Sequence, residues 1–242
     1  TLDSGNVVAN AGKGAFCMNC HQSRHGSVTN SLVNWPLKLP TWVGGSSFGL
    51  HDACQADMLA GVNGATYGLD IPSSAHLAAV TNSCVGCHMQ TVASTDPAFT
   101  KAGGHTMKMS YDVINNGVTN KVDLVDVCVK CHGPMDSFNM VKVDYNGDGI
   151  IEGVQTEVSK LHDKLSTLIP PAGYKANPLD YVADGKVKAR TSEQTNWPSR
   201  FLSAAYNFRM VRRDASLGVH NAAYTVGLLK ASIADLTGDS NN

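Results

Sequence analysis

Cys17-Met18-Asn19-Cys20-His21, Cys84-Val85-Gly86-Cys87-His88 and Cys128-Val129-Lys130-Cys131-His132 repeat one pattern, Cys-x-x-Cys-His. Two thiols three positions apart can form thioethers to the vinyl groups of one porphyrin, and the adjoining imidazole is then held over the ring as an axial iron ligand. Paired cysteines also build structural zinc sites and disulfide frameworks. Neither alternative requires a histidine directly after the second cysteine in every copy. The pattern therefore reads as three covalent c-type haem sites. Cys17, Cys20, Cys84, Cys87, Cys128 and Cys131 are the attachment thiols, and His21, His88 and His132 are the proximal ligands.

Each low-spin haem needs a second axial ligand, and six histidines remain outside the pentads. His105 and His220 follow glycines in loops, a setting that lets backbone approach a flat ring closely, and rank first. His51 and His76 rank level, one of them completing the third haem. His25 lies too close to His21 to reach the opposite face of the same ring; it reads as a surface group, a propionate partner or a ligand to a neighbouring haem. His162, flanked by Asp163 and Lys164, reads as a partly exposed helix residue. Met89 cannot cross the ring held by His88, and histidine is in surplus, so bis-histidine ligation is expected throughout. An iron saturated in this way has no open position for substrate, which favours electron transfer and argues against an enzyme.

Cys54 is left over after three pairs. It reads as a buried apolar thiol, with a single-thioether anchor or an intermolecular disulfide as alternatives. A further oxygen-rich stretch, Asp144-Tyr145-Asn146-Gly147-Asp148-Gly149, has donors at positions 1, 3 and 5 of an EF-hand-like loop. The Ile150 carbonyl falls at position 7, Glu152 at 9 and Gln155 at 12, where a bidentate glutamate is usual; Glu157 is a substitute if the loop is looser. Ca²⁺ is the expected ion, and a solvated acidic turn is the alternative.

The elements that must position these groups are mainly helical, with a large irregular fraction. Of 242 residues only 16% are charged, and 23 are glycine. A helix is expected over 55–60, stopped by Gly61. Val158, Leu161, Leu165, Leu168 and Ile169 recur at helical spacing until Pro170-Pro171 ends the run. A second long helix starts at Pro198 and carries Phe201, Leu202, Ala205, Phe208 and Val211, with Arg209, Arg212 and Arg213 towards its end. A third runs from Asn221 towards Leu236, with Gly238 beyond it. Gly5, Gly12 and Gly14 are expected to keep the approach to the first pentad flexible. Residues 1–140 form a haem-binding region, and 141–242 form a calcium-loop and helical region that supplies a distal histidine; the two make one integrated domain. The net charge of −1 becomes more negative with ionised haem propionates, and no basic stripe offsets it, so nucleic acid is excluded as a partner. No run of about 18 apolar residues occurs, so no membrane span is expected. Thr1-Leu2-Asp3-Ser4-Gly5 reads as a mature start, and haem attachment after export places the chain outside the cell or in the periplasm.

Several stretches together resemble one family. They are His51-Asp52-Ala53-Cys54-Gln55-Ala56-Asp57-Met58-Leu59, the second pentad with His76 upstream, Gly103-Gly104-His105-Thr106, the 144–157 loop, and Gly218-Val219-His220-Asn221-Ala222-Ala223-Tyr224. The set resembles the small multihaem c-type cytochromes of metal-reducing bacteria and related archaea, some of which polymerise into extracellular filaments. Tetrahaem members carry a fourth pentad that is absent here. The resemblance implies a fold organised around closely stacked bis-histidine haems. It also implies electron transfer to other redox proteins or extracellular acceptors, and in filament members an axial histidine supplied by the adjacent subunit. Head-to-tail self-association is thus expected, with His51 and His76 as candidates for the crossing ligand.

Overall fold

A computed structural model describes residues 1–23, 50, 53–169, 172 and 197–239. His25, His51 and Pro170-Pro171 lie outside the described residues. The described chain is mostly helical, with long irregular connections and one two-stranded sheet. In order it forms α1 (Ala15–Met18), α2 (Gln55–Ala60), α3 (His76–Ala79), α4 (Cys84–His88), β1 (Ser110–Asn115), β2 (Val118–Asp123), α5 (Val129–His132), α6 (Val154–Leu168), α7 (Ser199–Asp214) and α8 (Ala222–Thr237).

The main core lies between α6, α7 and α8, joined by Leu50, Cys54 and Met58. Val158, Leu161 and Leu165 are three and four residues apart, so they form one continuous buried face of α6. Leu202, Phe208 and Val211 of α7 and Tyr224, Leu228 and Ile233 of α8 close on it. Their ends follow local chemistry. The Asn221 side chain caps α8 by accepting from the Tyr224 amide, and Gly238 ends it at φ +76°. Ile169 is buried but already extended, so α6 stops at Leu168. Arg212 and Arg213 occupy the last turn of α7, whereas Arg209 lies a turn earlier and is buried.

Side chains of α7 and α8 reach across to hold residues 59–74. The Asn207 amide pairs with both backbone groups of Ala65 at 2.8 Å, accepting from its N–H and donating to its carbonyl. The Tyr224 hydroxyl accepts from the Gly64 amide at 2.7 Å, and Asn221 Oδ1 accepts from the Ser74 amide at 2.7 Å. Each satisfies a loop N–H that has no helix or strand to serve it.

Elsewhere the cores are small. One gathers Leu2, Ala11, Met18 and Ala56; another holds Ala98, Ala102 and Leu124. The antiparallel hairpin, pairing Ser110 with Asp123 through Asn115 with Val118, was not among the expected elements. Its marker was present: Asn116-Gly117, with φ of +50° and +78°, meets the demand of a tight primed turn. Among the described residues no helix is long and apolar enough to cross a membrane.

Candidate functional site

Each pentad is one turn of helix. The His21 amide donates to the Cys17 carbonyl at 2.8 Å, and the His132 amide to the Cys128 carbonyl at 2.9 Å. The second pentad is α4 itself. One turn brings cysteines three apart to the same face, the requirement for grasping one ring by two edges.

The first two turns stand side by side. The Gly14 amide donates to the Asn82 carbonyl and the Lys13 amide to Asn82 Oδ1, both at 3.1 Å, while Ser83 Oγ donates to the Ala11 carbonyl at 2.7 Å. A Cβ on Gly14 would collide with Ser83 Oγ, and one on Gly12 would sit 2.8 Å from Asn82 Cα. These glycines therefore serve close packing against the second site, not a flexible approach. Partial burial raises the Cys84 thiol above its ordinary pKa. Burial likewise pushes Cys128 up to about 11, with Cys87 the next contributor. The first and second sites are thus tied by hydrogen bonds between the residues that flank them.

Two pairs of imidazoles lie near one another, one pair tilted at 42° and the other edge-on at 79°. His88 and His220 have ring centroids 6.2 Å apart, and His76 and His132 have theirs 5.8 Å apart. Two imidazoles bonded on opposite sides of one metal at about 2 Å each place their centroids roughly 6 Å apart. The outer nitrogens are engaged: His88 Nδ1 bonds the Met107 carbonyl at 2.8 Å, His76 Nδ1 the His220 carbonyl at 3.2 Å, and His220 Nδ1 the Asp214 carboxylate at 2.7 Å. In the first pentad His21 Nδ1 lies 3.1 Å from Gln55 Oε1. An acceptor on Nδ1 sets the tautomer and leaves Nε2 to a metal. Burial opposes charge on His220, but the charge and hydrogen bond of Asp214 outweigh it and raise its pKa.

Among the described residues no three His, Cys, Asp or Glu side chains gather in a group that could hold a bare ion. A porphyrin iron does not need one, because the macrocycle supplies four of its six ligands and the protein only two. The residues fit that group. Around the pentads, Phe16 is 89% exposed and Met107 51%, apolar surface that a flat ring would cover.

The remaining histidines sort differently from their ranking. His105 is exposed on a short turn and has no ring contact among the described residues. The positive φ values at Gly103 and Gly104 serve the turn that aims the Met107 carbonyl at His88. His76, ranked below it, has its ring 5.8 Å from that of His132, edge-on. His162 is buried, not partly exposed: its ring stacks on Phe208 at 3.9 Å, and its Nε2 donates to the Phe208 carbonyl at 3.1 Å. Four residues after Val158, it lies on the core face of α6 while Asp163 and Lys164 turn outward. Cys54 is fully buried and donates to the Met210 carbonyl at 3.3 Å, so it is closed to cross-linking between chains.

The 144–157 loop uses its oxygens on its own donors. Asp144 accepts from the Gly147 and Gly149 amides. Glu157 accepts from the amides of Tyr145, Asn146 and Glu152 and from the Asn146 side chain. Lys160 bridges Asp148, at 2.8 Å, and Glu152. Hydrogen bonding to Lys160 lowers the Asp148 pKa. The Gln155 side chain, expected at position 12, donates instead to the Ser216 carbonyl at 3.1 Å. The donor types suit Ca²⁺, but their present directions do not: an ion would have to displace the Lys160 ammonium and turn Glu157 away from its N–H donors.

No protein-family model, no curated protein and no solved structure matches this chain.

Proposed function

We propose that the chain carries three covalently attached c-type haems with paired histidine ligands, and that it transfers electrons as a subunit of an extracellular head-to-tail filament. The observation that carries this reading is the closeness of His88 to His220 and of His76 to His132, at centroid separations suited to two imidazoles on one iron. Haem supplies a one-electron couple that changes oxidation state without making or breaking bonds. The protein orients the imidazoles through their Nδ1 partners and packs the first site against the second. Where two imidazoles hold one iron, no position would remain for substrate, which favours electron transfer over catalysis.

His21 has no imidazole opposite it among the described residues. His25, His51 and His105 remain as candidates, and one supplied by a neighbouring copy would tie assembly to ligation. A heterologous contact that does not close into a ring then extends into a filament. The family resemblance supports the same reading, with other redox proteins or extracellular acceptors as partners. Ca²⁺ is a separate proposal for the 144–157 loop, in exchange for Lys160.

The test joins a denatured mass, an oxidised spectrum and a negative-stain image. The expected result is chain plus three haems, a low-spin spectrum and filaments. His220→Ala and His76→Ala should each convert one haem to high spin. A monomer with three bis-histidine haems would return the chain to a soluble periplasmic carrier, and a high-spin band in the wild type would favour a haem enzyme.

A further inference from the structure

The four oriented imidazoles do not have equivalent partners. His88, His76 and His21 turn Nδ1 towards neutral oxygens, those of the Met107 carbonyl, the His220 carbonyl and the Gln55 amide. His220 turns Nδ1 towards a carboxylate, Asp214 Oδ1, at 2.7 Å. The Asp214 side chain is 1% exposed. Its other oxygen accepts from the Ser216 amide at 3.3 Å and from the Ser216 hydroxyl. Among the described residues His220 is its only ion-pair partner. Asp214 is also the last residue of α7, where the helix dipole disfavours a negative charge. Burial and helix position both act against a carboxylate here, and the hydrogen bond to His220 is what it does there.

Resting on the haem reading above, we infer that Asp214 is a positioning and tuning residue that makes the haem between His88 and His220 the lowest in potential of the three. Hydrogen bonds to an ionised acceptor are roughly twice as strong as neutral ones, so Asp214 draws the Nδ1 proton and raises the basicity of Nε2. A more basic ligand, with a fixed negative charge behind it, stabilises ferric iron over ferrous. One electron added to that iron converts Fe(III) to Fe(II) with no bond made or broken; the Nδ1 proton stays between His220 and Asp214. This site stands between the other two: the Gly14 amide, ahead of the first pentad, donates to the Asn82 carbonyl, ahead of the second, and the His220 carbonyl lies 3.2 Å from Nδ1 of His76, whose ring is 5.8 Å from that of His132 in the third. The middle haem is then the last to fill and the first to empty, and electrons rest at the two ends, where a neighbouring redox centre can take them.

The experiment is a spectroelectrochemical titration of the full chain with its haems, for the wild type, Asp214→Asn and Asp214→Glu. Asparagine keeps an acceptor but removes the charge. One midpoint, the lowest, should rise while the other two stay in place and the spectrum remains low spin; glutamate should restore most of the shift. Ser216→Ala removes the donors' competition for the carboxylate through its hydroxyl and should move the same midpoint down, which tests the idea even if Asp214→Asn fails to fold. Three unmoved midpoints, or three that move together, in a protein whose mass carries three haems would overturn this proposal alone. A mass without haem would overturn the functional reading and this one with it.

Discussion

Helices α6, α7 and α8 bury Leu161, Leu165, Phe208, Leu228 and Ile233 to 1% exposure or less, while no residue of the second or third pentad is buried. Burying one large apolar side chain contributes about 1.5–3 kcal/mol, so the C-terminal helices have a polypeptide core able to hold them. The region of the pentads has two small clusters, and it exposes Phe16 and Met107 beside its candidate ligands. Hydrogen bonds from Asn207, Asn221 and Tyr224 tie the loop of residues 59–74 to the helices. One region has a core of its own; on the proposed function, the other would be completed by the group its thiols attach.

The largest test of that contrast removes the attachment chemistry. With all six pentad cysteines changed to alanine, residues 76–132 should lose most hydrogen-exchange protection while amides in α6, α7 and α8 keep theirs. Equal protection in both regions would erase the distinction. Next in size, Phe208→Ala should cost about 3–5 kcal/mol in denaturant unfolding, whereas Phe16→Ser in haem-free protein should stay within about 0.5 kcal/mol.

A pH scan sharpens the comparison from inside the core. Burial holds the folded-state pKa of His162 down to about 4, against 6.5 for an ordinary histidine. The unfolded chain therefore takes a proton that the native ring refuses. The stabilisation is complete above about pH 6.5 and is lost as pH falls towards 4, by about 3 kcal/mol. His162→Leu should remove that part of the pH dependence; unchanged acid sensitivity would place its origin in other groups. The smallest effect belongs to the 144–157 loop. Ca²⁺ should raise the melting temperature slightly, and Lys160→Met should strengthen that response by freeing Asp148 and Glu152. A melting temperature indifferent to Ca²⁺ in both proteins would leave Lys160 as the loop's only cation.

The C-terminal helices were legible because their signals are local: apolar residues at helical spacing, Asn221 before α8 and Gly238 after it. The hairpin's signal, Asn116-Gly117, is equally local but short, and the irregular segments around it carry no period to reinforce it. The charged neighbours of His162 suggest exposure, although the helical period from Val158 puts it on the core face. Gly12 and Gly14 look like freedom in the sequence, but their lack of Cβ serves contact with Asn82 and Ser83.

The candidate haem chemistry is a property of the sequence itself, because a thioether pair and its adjoining ligand need only one turn of chain. Which histidine completes a pair is a different kind of question. His76 and His105 both sit in short turns, and nothing local separates them. Only packing brings His220 opposite His88 and its carbonyl to His76, through contacts between residues more than a hundred positions apart. The same packing sets a carboxylate behind His220 and backbone carbonyls behind His88 and His76. Bonds within a pentad are dictated by neighbours in the chain, whereas ligand pairing and tuning depend on distances that exist only once α7 and α8 have closed over the loops.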